Sequence, residues 1–189
     1  MHVIIRHNPL RSTMAVSLTF NRDFTRFVAL PNFHHSVKVV TATEVLDCSG
    51  ALLAQHSPVL MDMISKDSEL FLDNYSDVGP CLAVLHGKSV PLSLENVLDL
   101  MKFSLQFEVR EMFTQCYEWL KRSICTANFI KIFEICYKVC SFGKICGVES
   151  NTRLICCNFI SMIGQSFLVE AIKAGTINDD LRYKLLDFC

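Results

Sequence analysis

Apolar residues recur along this chain with two different periods, and the point where one gives way to the other organises it. Residues 1–30 follow neither, because Arg6, Arg11, Arg22, Asp23 and Arg26 interrupt each apolar run. This stretch reads as a poorly ordered or loosely docked arm ending at Pro31. From Ser36 the pattern changes. Val37, Val39 and Val40 form a short β-branched run, and after a polar step at Thr41 and Thr43 the segment Glu44-Val45-Leu46-Asp47-Cys48 follows. Two short strands in a hairpin fit this best, with Ser49-Gly50 ending the second.

The period then becomes helical. Ala51 to His56 predicts one helix, and Ser57-Pro58 opens another. Serine is a favoured N-cap, and proline suits the first helical position because its missing N–H had no partner there. Val59, Leu60, Met63 and Ile64 keep the apolar face, and the polar run Ser65 to Glu69 closes it. Leu70-Phe71-Leu72 reads as a third strand. Pro80 to Leu85 predicts a short helix stopped by Gly87, and Ser93 caps the next. There Leu94, Val97, Leu98, Met101 and Leu105 repeat at helical spacing. Val109, Met112, Phe113, Cys116, Trp119 and Leu120 do so again, with Trp119 read as core. Lys121-Arg122-Ser123 suits a helix end, where cations face the negative pole of the dipole. Thr126 or Asn128 would cap a further helix carrying Phe129, Ile130, Phe133, Tyr137 and Cys140. Gly143 and Gly147 mark a turn. Ser150 or Asn151 opens a long apolar helix to about Ala174, Gly175 ends it, and Asp179 to Phe188 forms a last short one.

Composition narrows the class. The 189 residues suffice for one domain or two small ones, and 51% of them are hydrophobic against 20% charged. That exceeds the usual apolar share of about 45–50%, so a sizeable core is available by count. Seven Gly and five Pro are too few for disorder or a turn-rich sandwich. The formal net charge is −1 with no basic stripe, which removes the field that draws a protein to nucleic acid or an anionic membrane. So small a charge also does little to oppose self-association.

The N-terminus lacks a basic start, clean apolar run and small-residue cleavage site, so the ten cysteines read as reduced thiols in an intracellular protein of cytoplasm or nucleus. The longest apolar stretch, Leu154 to Val169, contains Asn158, Ser161, Gln165 and Ser166 and falls short of the ~20 residues a span requires. It reads as a buried helix.

Two constellations invite chemistry. Cys136, Cys140, Cys146, Cys156 and Cys157 cluster in sequence, but structural zinc sites use closely spaced pairs at both ends, and adjacent Cys156 and Cys157 point to different helix faces. His34-His35 with Cys48 could pair a base with a thiol, yet nothing orients them, and the histidines read as surface residues before a strand. No nucleophile elbow, zinc-protease helix or phosphate-binding glycine loop is present. No catalytic residue, metal or cofactor is expected.

The order of elements, and specific segments, resemble the BTB/POZ family. "EVLDCSGALLAQHSPVLMDMI" is similar to its strand, helix and Leu-x-x-x-Ser-Pro step, here Leu53 to Ser57-Pro58. "VLHGKSVPLSLENVLDLMKFSLQFEV" resembles its turn, β element and following helix, with Glu95-Asn96-Val97 matching, and Cys116 and Leu120 fall where the family has its Cys and closing Leu. "TANFIKIFEICYKV" and "INDDLRYKLL" look like helices of the BACK region that follows BTB domains in Kelch-type proteins. The resemblance covers residues 36–189 and implies a BTB/POZ-like domain over 31–122 and a partial BACK-like region over 123–189. The sequence departs from the family at Ser36, where an Asp is usual, and at Ser49, where a His is usual, which puts a charged pocket in doubt. The helix around Leu82 is several residues short. Asp67 stands where an apolar anchor precedes the glutamate of the cullin-contact motif, here Glu69.

The fold expected is α+β and mainly helical: a small sheet with a helical cluster, continuing into helical hairpins. The resemblance implies a scaffold that homodimerises, with strand exchange from the N-terminal region. It also implies an adaptor bringing an unknown substrate protein to a cullin-based ubiquitin ligase, with Asp67, Glu69 and Phe129 as the cullin contact. The alternatives are a BTB scaffold that oligomerises without cullin, in transcription or the cytoskeleton, and a thiol-dependent enzyme.

Overall fold

A computed structural model describes residues 17–18, 35–72, 75, 77–125 and 127–145, together with Lys173, Gly175 and Tyr183. The expected long helix to Ala174, the last short helix, Thr126, His34, Gly147, Cys146, Cys156 and Cys157 lie outside the described residues, apart from those three positions. Lys173 is helical and Gly175 follows it in a turn at φ +65°, as a glycine helix terminator requires.

The hairpin forms from β2 (Ser36–Val40) and β3 (Val45–Ser49), antiparallel with Val37 opposite Cys48 and Val39 opposite Leu46. Its turn is held by Thr41, whose N–H reaches the Glu44 carbonyl at 2.9 Å and whose Oγ1 accepts from the Glu44 N–H at 3.0 Å. Helices α1 (Gly50–His56) and α2 (Pro58–Lys66) follow. Strand β4 (Glu69–Phe71) then returns parallel to β2, giving the sheet order β3-β2-β4. A parallel return needs a crossover, and α1 and α2 supply it. Helix α3 (Gly79–Leu85) ends where Gly87, at φ +73°, donates to the Val84 carbonyl.

Strand β5 (Val90–Pro91) pairs with β1 (Ser17–Leu18), antiparallel. Residues 17–18 of the arm read from the sequence are thus docked as a strand. Leu18 is fully buried, and the two residues find a ladder on β5 that no periodicity in so short a run could reveal.

Helix α4 (Val97–Gln106) begins one turn later than its apolar spacing suggests. Ser93 caps the preceding turn instead: its N–H donates to Asn96 Oδ1 at 2.9 Å, and its Oγ accepts from the Glu95 N–H at 3.3 Å. Helix α5 (Arg110–Ser123) buries Met112, Cys116 and Leu120, while Trp119 is only half-buried at the rim of the core rather than inside it. Helix α6 (Phe129–Ile145) runs through Gly143, which does not mark a turn as expected but is buried inside the helix. A glycine there costs about 1 kcal/mol relative to alanine, which the burial of Ile132, Cys136 and Val139 offsets.

The core lies between the inner sheet face (Val37, Val39, Cys48, Leu70) and the helices, with Leu53, Leu60, Leu100 and Phe103 at its centre. It continues across position 122 without a break, because α6 packs on α4 and its buried residues join the same cluster. Lys131 of α6 reaches Glu95 at 3.1 Å across the same seam. The described fold is therefore α+β and mainly helical, as expected. Helical hairpins of BACK type beyond α6 are not among the described residues.

Candidate interaction surface

Asp67 and Glu69, singled out by the resemblance, lie where α2 hands over to β4, and local chemistry explains the shape of this segment. Asp67 is the C-cap of α2, and its backbone N–H donates to the Met63 carbonyl at 3.0 Å. Its carboxylate accepts from the Glu69 N–H at 3.0 Å, and the Ser68 carbonyl accepts from Lys38 N–H at 2.9 Å. So Asp67 turns the chain from helix into strand, a task an aspartate side chain performs and an apolar one cannot. This is a local reason for the polar residue at that place. Both Asp67 and Glu69 are exposed.

Phe129 stands elsewhere. It opens α6 with its N–H on the Cys125 carbonyl at 3.0 Å, and it is only 7% exposed. Helix α6 packs on α4, whereas α2 packs on α1 and β4. The fold thus brings Asp67 and Glu69 together and buries Phe129 in the chain's own core.

At the Ser36–Ser49 end of the hairpin, the two serines are directly opposite one another. An imidazole reaches this corner from a different element. His86, the C-cap of α3, accepts the Ser49 N–H on Nε2 at 3.1 Å and places Nδ1 2.7 Å from the Leu82 carbonyl. One ring nitrogen accepts and the other faces a carbonyl, which fits the neutral Nδ1–H tautomer. Periodicity does not single out His86; its place just before Gly87 is the cue the sequence offers.

A cleft of about 380 Å³ lies between the α1–α2 joint and the α4–α5 corner. Gln55, His56, Glu108, Arg110 and Glu111 line it. Glu108 adopts φ +54°, the left-handed region that a side chain disfavours, to make the corner. Burial holds the His56 imidazole below its ordinary range, with the Glu111 carboxylate pulling weakly the other way. Gln55 Oε1 is buried with no hydrogen-bond partner.

Three of the described thiols, Cys48, Cys81 and Cys116, are shifted away from the thiolate. Burial pushes Cys116 up to about 12. Cys81 is raised by burial and then by the Asp99 carboxylate, and Cys48 by burial and then by Asp47. Cys125 is exposed, whereas Cys48, Cys81, Cys116 and Cys136 are buried. Among the described residues, no three His, Cys, Asp or Glu side chains gather as metal ligands would, and no helix is long and apolar enough to cross a membrane.

No protein-family profile matches the chain. Among curated proteins it is similar to the BTB and MATH domain-containing protein 39 of Caenorhabditis briggsae, with 27% identity over 108 residues. The match covers 54% of this chain but 30% of that relative, so the chain corresponds to less than a third of its length.

Proposed function

From a distant relative that carries a BTB domain, and a hairpin–helix pair–parallel strand order that suits one, we propose that this chain is a BTB-type protein–protein interaction module. The observation that carries the reading is the sheet: a hairpin whose first strand also receives a parallel third strand after a two-helix crossover. The module works by presenting surfaces. Its described thiols with shifted pKa values are all raised, which disfavours nucleophilic use.

Homodimerisation is the first activity of such a module. The two-residue β1 is held by a ladder on β5 and by its contact with α5. So short a strand exchanges between two copies at little cost, because each copy regains the same ladder. The second activity is adaptor work for a cullin-based ligase, in which Asp67 and Glu69 meet the cullin and another surface carries a substrate protein. The capping role of Asp67 and the burial of Phe129 favour a variant of this reading in which the chain oligomerises without holding cullin tightly. A lost buried anchor costs about 2 kcal/mol or more, roughly thirtyfold in affinity.

Size-exclusion chromatography with light scattering, with and without a purified cullin N-terminal domain, tests both parts. A dimer at micromolar concentration with weak or no cullin complex is expected. A strictly monomeric chain removes the dimer, and nanomolar cullin binding that survives substitution of Asp67 and Glu69 removes the assigned contact.

A further inference from the structure

The strand register sorts the outer face of the three-stranded sheet into rows. Side chains directly opposite one another share a face, and successive residues alternate. Lys38 of β2 is opposite Asp47 of β3 and Glu69 of β4, and all three are exposed. Two residues along, Val40 is opposite Val45 and Phe71. Val45 is 60% exposed and Phe71 61%, among the most exposed large apolar side chains of the described residues. The inner rows, Val37 with Cys48 and Val39 with Leu46 and Leu70, belong to the core. The outer face therefore carries an apolar row beside a row of two carboxylates around one ammonium. Glu44 and Asp67, both exposed at the adjoining turns, add negative charge.

We propose that this face is a docking site for a short segment of another protein that sets an apolar side chain on the Phe71–Val40–Val45 row and a lysine or arginine on the Asp47–Glu69 row. The chemistry follows from charge. Asp47 and Glu69 flank Lys38, and Glu44 and Asp67 lie at the adjoining turns, so carboxylates outnumber the ammonium and a basic group is attracted where an acidic one is repelled. The rows lie about 7 Å apart, the distance between alternate residues of an extended segment. Size selects a segment over a folded body. Two strands of five residues and one of three, about 4.8 Å apart, present on the order of 200 Å², against about 800 Å² per partner in a standard interface. A second copy of this chain fits poorly, because symmetric pairing sets carboxylates against carboxylates or buries them under the apolar row. The inference stands on register, exposure and charge, and it does not depend on cullin binding.

The test selects random dodecapeptides displayed on phage against the immobilised full chain, then measures a synthetic copy of the enriched sequence by fluorescence anisotropy. Enrichment of an apolar residue beside Lys or Arg is expected. Phe71→Ser and Asp47→Lys should each weaken binding at least about tenfold, Lys38→Ser should not weaken it, and added salt should. Asp67 and Glu69 stay unaltered, so failure here is distinguishable from failure of the cullin contact. All three altered side chains are exposed, and thermal melts check that each variant folds. If Phe71→Ser melts early, Asp47→Lys decides. No enrichment over a blank surface, enrichment of acidic peptides, or binding indifferent to both substitutions overturns the proposal. So does a dimer that dissociates on Phe71→Ser, because the occupant is then a second copy.

Discussion

Ser57 joins two parts of the core through one hydroxyl, and its removal has a calculable consequence. Its Oγ accepts from the Leu60 N–H at 2.9 Å, capping α2, and donates to the Phe107 carbonyl at the α4–α5 corner. Ser57 and Phe107 are each 1% exposed, so water cannot take over either bond. Ser57→Ala loses the cap, about 1 kcal/mol, and leaves a buried carbonyl without this donor, about 1–3 kcal/mol. The sum is on the order of 2–4 kcal/mol, or a fall of roughly 5–15 °C in Tm for a chain of this size. Urea titration followed by circular dichroism measures it, with an unchanged slope showing that stability and not compactness moved. Ser57→Thr keeps the hydroxyl and should lose much less. Ser57→Asp separates the two bonds, because a carboxylate accepts from Leu60 N–H but repels the Phe107 carbonyl. It should be at least as damaging as alanine. A loss below about 0.5 kcal/mol in Ser57→Ala, the range of ordinary surface changes, or wild-type stability in Ser57→Asp, would refute the two-bond account.

Cys116 packs fully buried on the face it shares with Met112 and Leu120, so Cys116→Ser should cost about 1–3 kcal/mol for a hydroxyl without a partner, and Cys116→Ala less. Native thiol titration should label exposed Cys125 well before Cys116, which should react only on unfolding; rapid native labelling of Cys116 contradicts its burial. His56 has a lowered folded pKa, so the unfolded chain binds the proton more readily. Its contribution is intact above pH 6.5, the unfolded value, and is lost as pH falls below it. Melts between pH 7 and 5 should therefore fall less steeply in His56→Gln, and more steeply in Glu111→Gln, which removes the opposing attraction; equal slopes in all three would exclude the effect.

Much of this protein is legible in local chemistry alone. The β-branched run at Val37–Val40, the Ser57-Pro58 helix start, the stop at Gly87 and the apolar face of α5 each depend on neighbours within a turn or a strand and form where their patterns lie, while α4 keeps its apolar face but starts a turn late. The thiol of Cys116 is likewise readable as core from the face it occupies. What sequence cannot supply is every partner at long separation. Leu18 and Ser17 show no period of their own and become a strand only because β5 offers them a ladder. Gly143 reads as a breaker, yet it is buried inside α6, a helix that packs on α4. Asp67 looks like a lost anchor until its carboxylate is seen to cap the turn into β4, and Phe129 looks like a contact until α6 docks and buries it. The apolar row of Phe71, Val40 and Val45 is scattered over three segments, and only the pairing of β4 with β2 assembles it. Propensity and capping act over a few residues and are written locally. Register and burial arise from contacts between segments up to tens of residues apart, and those exist only once the chain has folded.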